Sequence, residues 1–284
     1  MTAQAPGRPA SHVAPELPAD IRRWLDEDVG DGDRTTDAIV PADARSQASL
    51  LLREAGVVAG LDLARQVFRS LDPDLRWEPL AADGEQVAPG PVARIDARAR
   101  AVLTGERLAL NLLGRLSGIA TLTRRYVDAV AGTRAVILDT RKTTPGLRVA
   151  EKWAVRCGGG TNHRLGLHDA VLIKDNHLLH VPDLATAVRR ARQTGLPVEV
   201  ECDTLAQVAQ ALEVRADRIL LDNMPLADLR AAVAMTAGRV PLEASGGVTL
   251  ETVAAIAATG VDHISVGALT HAARSLDVAL EIDA

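Results

Sequence analysis

Aromatic residues are scarce in this sequence, at 2% of 284 residues. The core must therefore be aliphatic, because hydrophobic residues still make up 47% of the chain. Basic residues are not in excess either, and the formal net charge is −5. Proteins that coat nucleic acid present a basic face, so we expect no nucleic-acid partner. Any anion site must be a local cluster of cations against an acidic background.

Cysteine is equally scarce, with only Cys157 and Cys202. Neither lies in a Cys-x-x-Cys or Cys/His metal pattern, so we interpret both as reduced thiols of a cytoplasmic protein. No apolar run approaches the roughly 18–20 residues that cross a bilayer, so we expect no membrane partner. Residues 1–18 are rich in Pro and Ala and lack the apolar region of a signal peptide, which predicts a disordered tail.

The region that follows the tail has the mixed pattern of an α+β domain. Strands are predicted at 46–54, 56–60, 75–80 and 93–105, and helices at 61–71 and from residue 19 to near Gly30. A long helix is predicted over 104–131, where Leu recurs at helical spacing and Thr104 is a candidate N-cap. We assign a smaller N-terminal α+β domain with a small sheet to residues 19–116.

From residue 135 onward, short strands alternate with amphipathic helices, which indicates a parallel sheet. Six strands are predicted, at 135–140, 169–176, 198–202, 217–223, 240–247 and 262–269. No GxGxxG follows the first strand, which weighs against an open dinucleotide-binding sheet. The sequence instead predicts an incomplete parallel α/β barrel over residues 117–269.

Polar residues stand at the carboxyl end of nearly every predicted strand. Barrel enzymes build their sites at that rim, whereas an open sheet concentrates them at one switch point. The cations are Arg141, Lys142, Arg164 and Lys174, with His163 and with Arg107 on the long helix, and the anions are Glu201 and Asp222. Small residues with free backbone N–H groups precede two helices, at Ser245, Gly246 and Gly247 and at Ser265, Val266, Gly267 and Ala268.

This set of residues predicts the charge of the ligands. Cations that share one mouth repel one another, so the ligands should carry several negative charges. The two glycine-containing turns suit a phosphate, and the forked arginine side chains suit carboxylates. Glu201 and Asp222 cannot bind an anion, but they fit ribose hydroxyls or a bound Mg²⁺. We expect one sugar phosphate and one compact polycarboxylate.

Each of these motifs also has a purely structural interpretation. Arg141 and Lys142 taken alone form an ordinary solvated turn, and Asp222 alone is a helix cap. Glu199 and Glu201 share one face of their strand by the period of two, and both would be surface residues if that face pointed outward. The joint occurrence of all these motifs at successive strand ends favours one shared anion site.

Longer stretches of the chain carry a resemblance to a known family. The block from 138 to 177, which includes "DTRKTTPGLRVAEKWAVRCGGGTNHRLGLHDAVLIKDNH", occurs together with "GERLALNLLGRLSGIAT", "VEVEC", "LLDNM", "EASGGV" and "SVGALTH". These stretches resemble the quinolinate phosphoribosyltransferases, the decarboxylating enzymes of NAD biosynthesis. The resemblance implies that the N-terminal domain is an α+β sandwich, which a C-terminal helix, 270–284, completes. It also implies a homodimer or a larger homo-oligomer.

The resemblance further implies a role for each residue of the rim. Arg107 would reach the partner subunit's site, and Thr140 would fix its turn. Arg141, His163, Arg164 and Lys174 would hold the two carboxylates of quinolinate. Lys142, Glu201 and Asp222 would be the catalytic residues and would meet phosphoribosyl pyrophosphate with its Mg²⁺. Ser245–Gly247 and Ser265–Gly267 would take the 5′-phosphate.

Three other functions stay open on the sequence alone. Lys174 in an apolar strand could be the nucleophile of a Schiff-base aldolase, whose amine must be uncharged to react. A homologue associated with molybdenum transport would share the fold and take a different substrate. A sensor of phosphorylated metabolites would bind phosphoribosyl pyrophosphate without turnover, and it would need no pair like Glu201 and Asp222.

Overall fold

The computed structural model describes residues 14–283, which form two compact units. Unit 1 comprises residues 14–124, 144–159 and 273–283, and unit 2 comprises 125–143 and 160–272. Residues 117–124 and 144–159 were expected in the barrel domain and instead belong to unit 1. Within 14–283, no helix combines the length and the apolar character that a membrane span requires. Of the predicted tail 1–18, residues 1–13 lie outside the described residues, and a helix begins at Pro18.

Helices and strands alternate along most of the chain. The helices are α1 (Pro18–Val29), α2 (Arg34–Ile39), α3 (Leu61–Leu71), α4 (Ala99–Ala129), α5 (Arg148–Cys157), α6 (Asp175–Leu178), α7 (Leu184–Ala191), α8 (Leu205–Glu213), α9 (Leu226–Thr236), α10 (Val253–Ala257) and α11 (Ala268–His271). The strands are β1 (Arg45–Leu52), β2 (Gly56–Val57), β3 (Arg76–Pro79), β4 (Gln86–Val87), β5 (Gly90–Arg98), β6 (Val136–Leu138), β7 (Val171–Ile173), β8 (Val198–Cys202), β9 (Arg218–Asp222), β10 (Leu242–Ser245), β11 (His263–Ser265) and β12 (Val278–Ile282).

Unit 1 is built around a four-stranded antiparallel sheet in the order β12-β1-β5-β3. Strand β1 buries Ala48, Leu50 and Leu52 at every second position, as a strand with one face on a core does. Phe68 of α3 is fully buried in the aliphatic core of the chain. This unit has the α+β architecture that the mixed sequence pattern predicts.

The predicted C-terminal helix, 270–284, is wrong. Only the short α11 precedes it, and β12 pairs with β1 in antiparallel register, with Leu280 opposite Leu50. Leucine and alanine in "VALEI" suit a helix locally, but the unpaired edge of β1 offers a ladder of backbone hydrogen bonds. Tertiary pairing of this kind overrides local propensity.

The start of the long helix also differs from the prediction. Helix α4 begins at Ala99, so Thr104 lies inside the helix and is not its N-cap. The hydroxyl of Thr104 donates instead to Asp33 Oδ2 at 3.1 Å. The strand predicted over 93–105 ends at Arg98, and the residues after it belong to helix α4. The alternating pattern of "ARARAVL" led to the longer strand prediction, because it spans the boundary between the two elements.

Unit 2 contains a six-stranded parallel sheet in the order β6-β11-β10-β9-β8-β7, which matches the six predicted strands. Strands β7 to β11 lie side by side in chain order, but β6 pairs with β11 and not with β7. The barrel is therefore incomplete, with its gap between its first two strands. Residues 160–170 begin in that gap, where Thr161 makes a parallel bridge to Leu138 of β6.

Candidate active site

A cavity of about 750 Å³ is lined by the residues at the carboxyl ends of all six barrel strands. It brings together thirteen of the predicted site residues: Thr140, Arg141, Lys142, His163, Arg164, Lys174, Glu201, Asp222, Ser245, Gly246, Gly247, Ser265 and Gly267. Val266 is buried and does not line it. Arg107 is exposed on α4 and lines a separate groove of unit 1 with Asn111 and Asp277.

Hydrogen bonds and close packing fix the turn after β6. Thr140 Oγ1 accepts the backbone N–H of Lys142 at 3.0 Å, as predicted for the residue that fixes this turn. The carbonyl of Lys142 accepts the hydroxyl of Thr270 at 2.7 Å. A Cβ added to Gly267 would lie 3.0 Å from Lys142 Cδ, so the lysine stem lies directly against the turn after β11.

The cations of the rim are close enough to repel one another. Burial and then the nearby charge of Arg141 both lower the pKa of Arg164. One guanidinium nitrogen of Arg164 donates to the carbonyl of Ala170 at 3.2 Å, which holds the side chain in place. An arginine that is destabilised by a second arginine is stabilised when an anion binds between them.

Lys174 and Glu201 form an ion pair at the ends of neighbouring strands β7 and β8. The glutamate side chain is 13% exposed and the lysine side chain 42%, so the pair stands at the edge of the cavity. This contact occupies the lysine nitrogen, whereas a Schiff-base nucleophile must be free to attack a substrate carbonyl. This pairing disfavours the aldolase interpretation of Lys174.

The turn after β10 depends on glycine and on Asn223. Asn223 has φ +53°, and its side-chain amide donates to Asp222 Oδ2 at 2.7 Å. Its backbone N–H donates to the carbonyl of Ser245 at 2.9 Å. Gly246 has φ +96°, and a Cβ there would lie 2.1 Å from Asn223 Oδ1. Helix α10 begins only at Val253, so Ser245–Gly247 form a turn that precedes the helix by several residues.

His163 sits above two carboxylates inside the barrel. Its Nε2 lies 3.0 Å from Glu199 Oε2 and 3.4 Å from Glu243 Oε2. Burial opposes the charged imidazole, and the hydrogen bonds to these two carboxylates favour it and raise its pKa. The backbone N–H of Arg164, however, donates to Nδ1 at 2.7 Å, a bond that the charged ring cannot accept because both of its nitrogens then carry protons. This contact identifies the ring as neutral, with its proton on Nε2, against the pull of the carboxylates.

The two carboxylates differ in their own surroundings. Burial raises the pKa of Glu199. Burial also acts on Glu243, but His163, Ser265 and Arg218 outweigh it and lower the pKa of that carboxyl. The ligand atoms of His163, Glu199 and Glu243 lie within 4.8 Å of one another. The guanidinium of Arg218, 3.2 Å from Glu243, already supplies positive charge there and disfavours a metal cation.

Sequence reasoning missed several residues that shape this site. Asp139 is fully buried, and its carboxylate accepts the backbone N–H of His163 at 2.8 Å and the amide of Asn162 at 2.6 Å. Asn223 and Glu243 line the cavity as well. A polar residue directly after or inside an apolar strand was the available signal for Asp139 and Glu243. Nothing in the sequence indicated the contact between Asn223 and Gly246.

The two cysteines are not reactive groups. Cys157 and Cys202 are buried free thiols. Burial raises the pKa of both, that of Cys202 to about 12. A thiol in that state is a poor nucleophile, so the chemistry of the site rests on its charged and hydroxyl groups.

Fold and site together define an α/β-barrel protein with a cavity at the carboxyl ends of its strands that is lined by both cations and carboxylates. Two family models match the chain, the quinolinate phosphoribosyl transferase N-terminal domain over residues 33–117 and the C-terminal domain over residues 119–281. The chain belongs to the quinolinate phosphoribosyltransferase family.

Relatives in bacteria and plants align over most of their lengths. A nicotinate-nucleotide pyrophosphorylase [carboxylating] of Mycobacterium leprae is 48% identical over 271 residues, covering 92% of this chain and 95% of the relative. A chloroplastic protein of the same name from rice is 43% identical, over 99% of this chain and 81% of the relative. The solved nicotinate-nucleotide pyrophosphorylase from Francisella tularensis superposes with a TM-score of 0.89 at 38% identity, over 96% of this chain and 99% of that one.

The adjacent glycines after β10 allow a matched test of the prediction that this turn binds a phosphate. Gly246→Ala places a methyl group against Asn223, whereas Gly247 has φ +58° and no atom within 4 Å of an added Cβ. We expect Gly246→Ala to weaken the binding of ribose 5-phosphate about tenfold or more, and Gly247→Ala to weaken it less, because only backbone strain applies there. Titration calorimetry measures both. Equal losses would show that the contact with Asn223 does not shape the turn.

Proposed function

We propose that this chain transfers the phosphoribosyl group of phosphoribosyl pyrophosphate to quinolinate and removes one carboxylate as CO₂. The products are nicotinate mononucleotide and pyrophosphate, an intermediate and a by-product of NAD biosynthesis. The observation that carries this proposal is the convergence of Arg141, Arg164 and Lys174 with Glu201 and Asp222 on one cavity. The cavity is lined by cations that suit a dicarboxylate and by carboxylates that suit a ribose or a cation.

Quinolinate would lie against Arg141, Arg164 and Lys174, with His163 beside them. Forked guanidinium groups match the geometry of a carboxylate, and they bind it more strongly in a partly buried site than in water. The mutual repulsion of Arg141 and Arg164 supports this role, because a dicarboxylate removes it. A substrate with a single carboxylate would leave part of the positive charge uncompensated.

Phosphoribosyl pyrophosphate would occupy the opposite part of the cavity. The turns at Ser245–Gly247 and Ser265–Gly267 would take its 5′-phosphate through backbone N–H groups. Val266 would not contribute, because its N–H donates to the carbonyl of Leu138 at 2.9 Å. Ser265 donates its hydroxyl to Glu243, so its contribution there would come from the backbone. Lys142 would lie at the pyrophosphate side.

Glu201 and Asp222 fit a bound Mg²⁺, which enters as part of its complex with phosphoribosyl pyrophosphate. Mg²⁺ prefers oxygen ligands and is commonly held by one or two carboxylates together with substrate phosphates. Each of these carboxylates lines the cavity and uses one oxygen in a contact described above, with Lys174 or with Asn223. The ion, when bound, neutralises charge on the pyrophosphate.

The reaction needs positioning and electrostatics more than a protein nucleophile. The pyridine nitrogen of quinolinate attacks C1 of the ribose, and the C1–O bond to pyrophosphate breaks. Lys142 would stabilise the negative charge that develops on the departing oxygen. The new pyridinium then accepts the electron pair left when the bond to the adjacent carboxylate breaks and CO₂ leaves. A proton from the solvent takes its place on that carbon.

Arg107, which is exposed on α4, would act in the site of a partner subunit, as the family resemblance implies. The assembly would be a homodimer or a larger homo-oligomer. We propose a cytoplasmic location, because the two cysteines are buried free thiols that form no disulfide with each other, as suits a reducing compartment.

The direct test measures CO₂ released from quinolinate labelled in the carboxylate next to the ring nitrogen. We expect release only when phosphoribosyl pyrophosphate and Mg²⁺ are both present, with one pyrophosphate formed for each CO₂, because decarboxylation needs the pyridinium. Binding of phosphoribosyl pyrophosphate without turnover would identify a sensor instead. Failure to process quinolinate would leave only the family's fold, as in a homologue with another substrate.

Lys142→Ala should lower the turnover number about 10²-fold or more, because it removes a cation from the leaving group. Lys142→Arg keeps the charge and should lose less. Steady-state assays at saturating substrates measure both variants. A near-normal turnover number for Lys142→Ala would contradict the proposed role.

Subunit mixing tests the proposed exchange of Arg107. Arg107→Ala and Lys174→Ala should each be inactive alone, because each site then lacks one cation. Random exchange makes about half of the dimers mixed, each with one intact site, so about a quarter of the wild-type activity should return. A mixture of Lys174→Ala with Glu201→Ala is the control, since neither mixed site is intact. No recovery in the first mixture would place Arg107 outside the partner's site.

A further inference from the structure

Glu199 and Glu243 are two buried carboxylates that the proposed reaction does not use. They are 6% and 0% exposed, on strands β8 and β10. Burying a carboxylate costs several kcal/mol unless it is paired and hydrogen-bonded. Strand β8 therefore carries a residue whose burial must be offset by what it holds.

Both glutamates hold the same ring. Nε2 of His163 faces the pair, and the backbone N–H of Arg164 is donated to Nδ1 of the same ring at 2.7 Å. The two nitrogens of His163 thus link the barrel interior to the backbone of the next residue. A hydrogen bond at each nitrogen fixes both the plane of the ring and its tautomer.

The segment that carries His163 and Arg164 has no regular ladder to hold it. Beyond the bridge at Thr161, residues 162–170 are neither helix nor strand. Asp139 supports the segment from β6 through the backbone N–H of His163. Glu199 of β8 and Glu243 of β10 support it through the His163 ring.

Neighbouring strands hold Glu243 in turn. Ser265 of β11 donates its hydroxyl to Glu243 Oε1, and Arg218 of β9 lies 3.2 Å from Glu243 Oε2. Glu199 Oε1 has no hydrogen-bond partner among residues 14–283. Within these residues the only side-chain hydrogen bond described for Glu199 is the one to His163, which makes Glu199 the more specific position to change.

We propose that Glu199 and Glu243 are positioning residues that hold the His163 ring as the Nε2–H tautomer and thereby set Arg164 for the dicarboxylate. This inference rests on the proposed function, because it assigns the segment 162–164 to the quinolinate side of the cavity. Preorganised groups bind more tightly than groups that must be ordered by the ligand. The affinity for quinolinate therefore depends on two carboxylates beneath the site.

The first test compares Glu199→Leu with Glu199→Gln. Leucine removes the acceptor, and glutamine keeps an acceptor oxygen for Nε2–H without the charge. We expect Glu199→Leu to weaken quinolinate binding about tenfold or more, with the affinity for phosphoribosyl pyrophosphate unchanged, because a buried hydrogen bond is lost on one side of the site only. Glu199→Gln should bind quinolinate almost as the wild type does. Glu213→Gln, an exposed acid on α8, is the control.

The second test reads the ring directly and does not depend on activity. Nitrogen-15 spectra of the imidazoles should show the Nε2–H tautomer of His163 in the wild type and in Glu199→Gln, with the signal assigned by its loss in His163→Gln. Glu199→Leu should lose that fixed tautomer.

Three results would overturn the proposal: unchanged quinolinate affinity in Glu199→Leu, an equal loss for both substrates, or a loss in Glu199→Gln as large as in Glu199→Leu. If Glu199→Leu does not fold, a changed tautomer in Glu199→Gln overturns it. Wild-type protein that binds no quinolinate would refute the proposed function, while the spectra would still test the positioning.

Discussion

The missing pairing between β6 and β7 is the constraint on which the site depends. In a closed barrel, backbone hydrogen bonds would join β6 to β7. Here the segment 160–170 lies between the two strands, and side chains hold it in place. Three carboxylates fix one histidine, His163, in the opening: Asp139 directly after β6, Glu199 on β8 and Glu243 on β10. The opening leaves room for a segment that brings His163 and Arg164 to the cavity. His163 and Arg164 therefore lie where the pairing of β6 with β7 would otherwise close the barrel.

Strand β8 shows how one strand serves both support and binding. Glu199 and Glu201 point to the same side by the period of two, yet they lie at different depths. The deeper Glu199 holds His163, and the shallower Glu201 pairs with Lys174 at the cavity. The three apolar residues between and beside them, Val198, Val200 and Cys202, are fully or almost fully buried on the other side. Neither face of this strand points to solvent, so Glu199 and Glu201 are not a pair of surface residues.

The six barrel strands and most of the rim were predictable because parallel strands with helical crossovers put their carboxyl ends on one side. Eleven of the thirteen predicted residues at the cavity lie at these strand ends, whereas His163 and Arg164 come from the segment 160–170. The C-terminal strand β12 was not predictable, since "VALEI" becomes a strand only beside the free edge of β1. Glu243 and Asn223 escaped for a similar reason: their partners, His163 and Gly246, are distant in sequence or depend on a left-handed backbone. Local sequence patterns predict most of the helices and strands, whereas contacts between these elements determine the conformation of β12 and the roles of Glu243 and Asn223.

The crowding of Arg141 against Arg164 has a consequence for the life of the protein in a cell. Repulsion between the two guanidinium groups raises the free energy of the empty folded state, and a bound dianion removes it. Ligand that binds only the folded chain shifts the unfolding equilibrium by mass action. Proteases act on unfolded chains, so the steady-state abundance of this protein should rise with the supply of its acidic substrate. The same charges that select the substrate would then tie the turnover of the protein to metabolic flux.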